Sequence, residues 1–318
     1  MPDAATIEQD AGPPAQEPAN VARLRIAVAI ATAGRPLILA QMLVRLEVQT
    51  RHPDAIFVCA PEAADVDGIA EAFPTVALVP GPRGLAHQRN AILRRLESFD
   101  VALFFDDDFV PAADYIERVE ALMLARPDVV MTTGSVIRDG IRGPGLSFDE
   151  ADEALRGAEL QDAPQAAGDG DLKVASNGYG CNMSVRLAAV REHAVYFDES
   201  LPLYAWLEDV DFGSRLGRHG RVVMLPASRG VHLGIKSGRQ AGIKLGYSQI
   251  ANPIYLARKG TCSWRRSFYL MSRNIAANIA RSFRPEPWVD RRGRLAGNLI
   301  ALVDLFSARL EPVRAQTL

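Results

Sequence analysis

The sequence predicts an α/β protein with a mostly parallel central sheet and helices on both faces. Three observations predict it. Short apolar runs alternate with segments of helical period between residues 25 and 132. The runs are apolar throughout, as strands buried on both faces are. An acidic triplet follows directly on one run, at the carboxyl end of a strand, where such sheets bind ligands.

Each element has its own warrant. Arg25-Ile26-Ala27-Val28-Ala29-Ile30-Ala31 is the first strand. The turn Thr32-Ala33-Gly34-Arg35-Pro36 leads into a helical pattern that runs to about residue 50, with Pro36 suited to its first turn. Strands are expected over 55–59, 75–79, 101–105 and 129–132, and helices over 85–96 and 115–125. Residues 138–172 break the alternation with Gly143-Pro144-Gly145, an acidic stretch and Gly168-Asp169-Gly170, and read as a long loop. A helix over 204–219 and a strand over 221–225 follow. From Trp264 apolar residues recur at Phe268, Met271, Ile275, Ile279 and Phe283, which is helical spacing. A break at Pro285-Glu286-Pro287 precedes a second helix over 292–310. The expected division is a disordered tail over 1–23, a catalytic domain over 24–262 and a helical extension over 263–318.

Composition narrows the function classes. Lys plus Arg number 36 and Asp plus Glu 38, so bulk charge gives no reason to expect a nucleic-acid partner. The three cysteines are far apart and form no CxxC pair, which argues against a zinc site or a disulfide framework and fits a reducing cytosol. The first twenty residues lack a signal peptide's basic start and apolar core, and no apolar run is long enough to span a bilayer. The expected location is the cytoplasm, with the inner face of the plasma membrane as an extension of it. The two C-terminal helices pair apolar stripes with arginines. They either lie on an anionic membrane surface or pack on the catalytic domain.

Several motifs carry chemistry. Asp106-Asp107-Asp108 places three carboxylates at a strand end, where they repel unless a cation or donors offset them. Oxygen ligands of this kind suit Mg²⁺ or Mn²⁺ completed by substrate phosphates, although Asp108 alone can also cap a helix. In Trp206-Leu207-Glu208-Asp209-Val210-Asp211-Phe212, Glu208 and Asp211 share one helix face and Asp209 points elsewhere. An ionised carboxylate there is either a general base or part of a solvated face. Asn177-Gly178-Tyr179-Gly180-Cys181-Asn182-Met183 permits close backbone approach to a ligand, or is a plain turn before a helix starting at Ser184. His232 is either structural or a metal ligand brought to the aspartates by the fold. Lys236, Arg239 and Lys244 can meet phosphate or face solvent. Gly81-Pro82-Arg83-Gly84-Leu85-Ala86-His87-Gln88-Arg89-Asn90 sets arginines at a helix start, which favours anions. No Walker loop or GxGxxG fingerprint appears.

Taken in order, these motifs resemble the GT-A glycosyltransferases, and within them family 2, over about residues 24–260. The tail around Trp288-Val289-Asp290-Arg291-Arg292 is similar to that of bacterial members that build surface polysaccharides. The resemblance implies a nucleotide-sugar site at Thr32, Arg35, Arg83, Arg89, Asn90, Asp106 and Asp107. It implies a glycine loop and acceptor site at Gly178, Tyr179, Gly180, Asn182, Trp206 and Glu208, with Asp209 as the catalytic base. It implies Mn²⁺ or Mg²⁺ on Asp106, Asp108 and His232. The implied reaction moves a sugar from a nucleotide-diphosphate donor to a hydroxyl of a glycan or lipid-linked saccharide, with inversion. One departure stands out: many members end the second strand in an acid that contacts the base, and here the chain reads Cys59-Ala60-Pro61-Glu62, with Glu62 or Asp65 as substitutes. Two other readings are a sugar nucleotidyltransferase, for which the turn over 32–36 is short, and a catalytically inactive sugar-nucleotide-binding scaffold.

Overall fold

The computed structural model describes residues 23–161, 172–237 and 241–318. The expected tail lies outside the described residues apart from Arg23, as do Gly168-Asp169-Gly170 and Arg239. The strands are β1 (Ile26–Ala31), β2 (Ala55–Ala60), β3 (Val76–Pro80), β4 (Val101–Asp106), β5 (Phe109–Pro111), β6 (Val129–Asp139), β7 (Lys173–Val174), β8 (Asn182–Arg186) and β9 (Arg221–His232). The helices are α1 (Pro36–Leu46), α2 (Ile69–Ala72), α3 (Leu85–Leu93), α4 (Tyr115–Ala125), α5 (Phe148–Gln161), α6 (Leu187–Glu192), α7 (Glu208–Leu216), α8 (Gly242–Lys259), α9 (Trp264–Ser282) and α10 (Arg291–Phe306).

The strands form one sheet in the order β3-β2-β1-β4-β8-β6-β9-β5, with β7 paired to β9. The first four run parallel, as the strand–helix alternation requires. Past β4 the sheet is mixed. β8 is antiparallel to β4 and β6, and β5 is antiparallel to β9, while β6 and β9 run parallel. Both faces are covered. Along β1, Ala27 and Ala29 face α3, α6 and α7, whereas Ile26, Val28 and Ile30 face α1 and α4. The period of two in a strand thus sorts small from large residues onto opposite faces.

Two expectations need correction. The stretch over 138–172 is not a plain loop, because it contains α5. Ser147 and Glu150 form a reciprocal capping pair at its start, each backbone N–H donating to the other's side chain. Phe148, Ala151 and Leu155 then bury one face against Val231 and Leu233 of the β9 end. Ser184 starts no helix. It is buried in the middle of β8, paired with Leu103 and Thr132 on either side.

α8 joins the sheet to the C-terminal helices. Gly246 and Gly297 let it touch α10 backbone to backbone. A Cβ at Gly297 would sit 2.1 Å from the Ile243 carbonyl oxygen. Tyr247, Ile250, Ile254, Met271 and Ala301 make a separate small core. On its other side Asn252 donates to the Trp206 carbonyl at 2.8 Å. Lys259 Nζ reaches Asp198 at 2.5 Å and the buried Asp211 at 2.9 Å.

Burial raises the Asp198 carboxyl, but hydrogen bonds from Lys259, Tyr255 and the Ser200 N–H outweigh it and hold it at about 2. A carboxylate depressed in the folded state stabilises above its unfolded value of ~3.9, and that stability is lost as the pH falls through about 2. Lys259→Met should therefore cost on the order of 2 kcal/mol in chemical denaturation at pH 6. The gap to wild type should narrow as the pH drops below ~4.

Candidate active site

The sheet register assembles the acidic centre. Asp106 ends β4, and Asp107-Asp108 turn the chain into β5. β5 pairs with β9 so that Phe109 lies opposite His232, and β6 pairs with β9 so that Asp139 lies opposite His232 as well. His232 thus arrives beside Asp108 from 124 residues away. Ligand atoms of Asp106, Asp108 and His232 all lie within 4.8 Å of one another. His232 Nε2 is 3.5 Å from Asp108 Oδ1, and its Nδ1 is 2.9 Å from Asp139 Oδ1. Atoms sharing an ion at about 2.0–2.2 Å sit roughly 3 Å apart at adjacent positions, so the cluster fits a divalent cation with little adjustment. Asp139 plays the part of the outer carboxylate that orients a ligating imidazole. Burial lowers the His232 imidazolium, but Asp108 and Asp139 prevail and lift it to about 10. Burial raises Asp108, while His232, Arg35 and the Ile235 N–H hold it at about 2.

Asp107 faces the other way. It is fully buried, accepts from Thr32 Oγ1 at 2.6 Å and pairs with Arg35 at 2.6 Å. Burial and the neighbouring Asp108 push it up to about 7 against the pull of Arg35. Arg35 also lies 3.5 Å from Asp108, so Thr32, Arg35 and Asp107 brace the acidic turn from behind.

Arg89 connects the acidic centre to the glycine loop and to α7. Its guanidinium is 2% exposed and reaches three acceptors: Asp106 at 3.1 Å, the Gly180 carbonyl at 2.6 Å and Glu208 at 2.5 Å. Asp209 accepts from the Gly180 N–H at 3.2 Å and the Val210 N–H at 2.8 Å. Gly180 keeps the loop close to α7: a Cβ there would stand 3.0 Å from Glu208 Oε1, a tight contact. Burial and the Asp209 charge push Glu208 up to about 8, and burial raises Asp209 as well. The segment presenting these acids is strained: Leu203, Ala205 and Leu207 have φ of 58°, 50° and 75°. Asp211, on the Glu208 face by spacing, is buried away from the site on Arg215 and Lys259. None of Glu208, Asp209 and Asp211 belongs to a solvated face.

A groove of about 920 Å³ is lined by Asp106 and His232 and by Glu208 and Asp209. The glycine loop lines it through Gly178, Tyr179 and Gly180, Trp206 adds to the lining, and α9 and α10 supply the far wall. Tyr179 donates to Asp139 at 2.9 Å, and its backbone N–H to Thr133 Oγ1 at 3.1 Å. Asn182 is fully buried and accepts from Thr133 at 2.7 Å. Thr32, Arg35, Arg83, Asn90 and Asp107 do not line the groove. Asn90 is buried against the Phe197 backbone and Glu199. Arg83 is exposed and pairs with Glu62 at 2.8 Å. Asp65 accepts from the Gly34 N–H at 2.6 Å and so fixes the first turn. Lys236 donates to the carbonyls of Gly140 and Ile141, and Lys244 to that of Gln316.

Sequence reasoning missed Asp139, which no spacing ties to His232, and Gln88, whose amide bridges the Thr32 and Cys59 carbonyls at 2.8 Å. It also missed Arg266 and Arg273 in the far wall. Their shared spacing of seven on one helix was the available signal.

No protein-family model matches the chain, and no curated protein matches it significantly. Solved structures do. GalNAc-T7 with UDP, GalNAc and Mn²⁺ superposes with a TM-score of 0.55 at 14% identity, covering 91% of this chain and 59% of that one. A Pyrobaculum calidifontis mannosyltransferase with GDP-Man and Mn²⁺ gives 0.50 at 15% identity, covering 94% and 89%. TarS of S. aureus matches at 0.47 and 16% identity, covering 65% of this chain, which spans 36% of TarS. At such identities the likeness is one of fold, and the chain has the GT-A fold.

Asp139→Ala leaves the three candidate ligands in place and removes only the imidazole's support. It should weaken Mn²⁺ binding about 10- to 100-fold in an electron-paramagnetic-resonance titration. An unchanged affinity would mean that His232 needs no orienting partner.

Proposed function

We propose that this chain is an inverting, metal-dependent glycosyltransferase of the family 2 type. It moves a sugar from a nucleotide-diphosphate sugar to a hydroxyl of a glycan or lipid-linked saccharide, in the building of a bacterial surface polysaccharide. One observation carries the reading. A cation-binding cluster and Asp209, a carboxylate with no ion pair among the described residues, line one groove, and Arg89 ties Asp106 of the cluster to Gly180 and Glu208 beside Asp209.

The chemistry follows from that placement. Mn²⁺ or Mg²⁺ on Asp106, Asp108 and His232 would supply positive charge for the departing diphosphate. The mixed oxygen and nitrogen donors suit Mn²⁺ better than the all-oxygen preference of Mg²⁺. Arg83 lies at the solvent edge near the start of α3, where it can leave Glu62 for a phosphate. Asp209 takes the proton of the acceptor hydroxyl. That oxygen bonds to the anomeric carbon as the carbon–oxygen bond to the diphosphate breaks on the opposite face. Burial raises the Asp209 carboxyl, which makes it a stronger base than an exposed aspartate. Arg89 keeps Glu208 and Asp106 at fixed spacing and contacts neither proton nor leaving group.

The nucleotidyltransferase reading fits less well. Only residues 32–35 separate β1 from α1, too few for a glycine-rich phosphate loop. A scaffold without activity leaves the buried acids of both walls unexplained.

The C-terminal helices support contact with an anionic membrane, at the cytoplasmic face in this reading. Residues 263–318 hold ten arginines against four carboxylates. Phe268, Phe283 and Phe306 are 60%, 82% and 88% exposed. No helix among the described residues is long and apolar enough to cross a membrane. Vesicles of phosphatidylglycerol should float wild type and leave Phe268→Glu/Phe283→Glu behind. Equal flotation of both would refute the contact.

The direct test of transfer has two arms. A nucleoside diphosphate with Mn²⁺ should raise the melting temperature of wild type but not of Asp108→Ala. Asp209→Asn should keep that stabilisation while losing about 10²- to 10⁴-fold in transfer rate. In wild type the rate should fall as the pH drops through the raised Asp209 value, on a limb above the ~3.9 of an ordinary aspartate. Loss of nucleotide binding in Asp209→Asn would undo the assignment of a base.

A further inference from the structure

The far wall of the groove carries charge that the reaction above does not use. Arg266 and Arg273 stand seven residues apart on α9, so both project from one helix face into the groove. Neither has a carboxylate within 4.0 Å among the described residues. Arg273 lies only over the ring of Tyr269, 5.9 Å from its centroid. Arg266 leans both terminal nitrogens toward Asn177 Oδ1 at 3.4 Å, which puts it at the glycine loop. Below them Arg281 and Arg291 share the single carboxylate of Glu286. The wall therefore has an excess of positive charge facing the groove. Elsewhere the half-buried Asp106 and the buried Glu208 and Asp211 each have their cation.

The side of the groove matters. The cation cluster is built on β4 and β9, and donor phosphates belong there. Arg266 stands instead by Asn177, at the start of the glycine loop whose Gly180 N–H donates to Asp209, so it shares the acceptor's side with the base.

We infer that the acceptor of this enzyme is an anionic saccharide, whose phosphate or carboxylate is held by Arg266 and Arg273 while its hydroxyl reaches Asp209. This rests on the transfer reading for the word acceptor, but the anion subsite itself does not. Two guanidinium groups on a fixed helix suit an oxygen-rich anion, which each can hold through paired N–H donors. A neutral sugar would leave both cations unmatched.

The test uses full-length protein with its donor side filled by a nucleoside diphosphate and Mg²⁺. Glucose 1-phosphate, glucuronate and neutral methyl glucoside are titrated calorimetrically. At least one anionic sugar should bind about tenfold or more tighter than methyl glucoside, and raised salt should weaken it. Which of the two binds names phosphate or carboxylate as the charge. Arg266→Gln/Arg273→Gln should erase the preference, and Arg273→Lys should keep part of it. The inference is overturned if methyl glucoside binds as tightly as both anions, if neither anion binds, or if the double variant keeps the preference. Both changes are at exposed positions, and a nucleotide titration on the same samples checks that the fold survives. If no nucleoside diphosphate binds while an anionic sugar still needs the two arginines, the transfer reading fails and the anion subsite stands.

Discussion

The site depends on one buried guanidinium. Arg89 sits in the interior with three acceptors from three separate parts of the chain: the end of β4, the glycine loop and the start of α7. The burial of a guanidinium is tolerable only while all three acceptors stay in place. The dependence runs both ways. Glu208 and Asp106 are each raised by burial and would repel the acids beside them without the cation between. The rings of Phe104 and Phe197, 5.7 and 5.4 Å from the guanidinium carbon, close the remaining sides. Breaking one contact thus loosens both walls of the groove.

Strand register does for the cation cluster what Arg89 does across the groove. A slip of one residue in β9 would turn His232 to the opposite face of the sheet. Such a slip is blocked on both sides. Phe109 occupies the space above Gly230, where any Cβ would sit 2.1 Å from its ring. β6 and β9 also carry register irregularities between Gly134 and Ser135 and between Val136 and Arg138. The pairing that brings Asp139 opposite His232 comes after both irregularities.

The sequence made the periodic part of this molecule legible. The strands of the parallel half could be read because each is an apolar run ended by turn residues, and Asp106-Asp107-Asp108 stood out because acids rarely follow such a run. What stayed hidden was long-range pairing. Nothing in the spacing says that β8 returns to lie between β4 and β6, or that Asp139 meets His232. Three adjacent aspartates also look alike in sequence, yet Asp107 faces Thr32 and Arg35 while Asp106 and Asp108 gather with His232. α5 was legible in principle, since Ser147-Phe148-Asp149-Glu150 is a capping signature. Its acidic surface, flanked by glycines, masked the apolar face of Phe148, Ala151 and Leu155.

The apolar spacing from Phe268 to Phe283 raised a different problem, because a stripe of that kind has two uses. α9 buries Met271 against α8, and its polar Ser267 and Asn278 are buried beside it. Phe268 and Phe283 of the same run stay outside. The helix is held by a small core and by hydrogen bonds among Gln249, Asn278 and Asn298, rather than by its full apolar stripe. Two faces are therefore left for other tasks, one aromatic toward solvent and one basic toward the groove. A helix that needed its arginines only for solubility would have little reason to turn Arg266 and Arg273 into the groove that Asp209 also lines. Their direction, more than their number, makes the C-terminal helices part of the site.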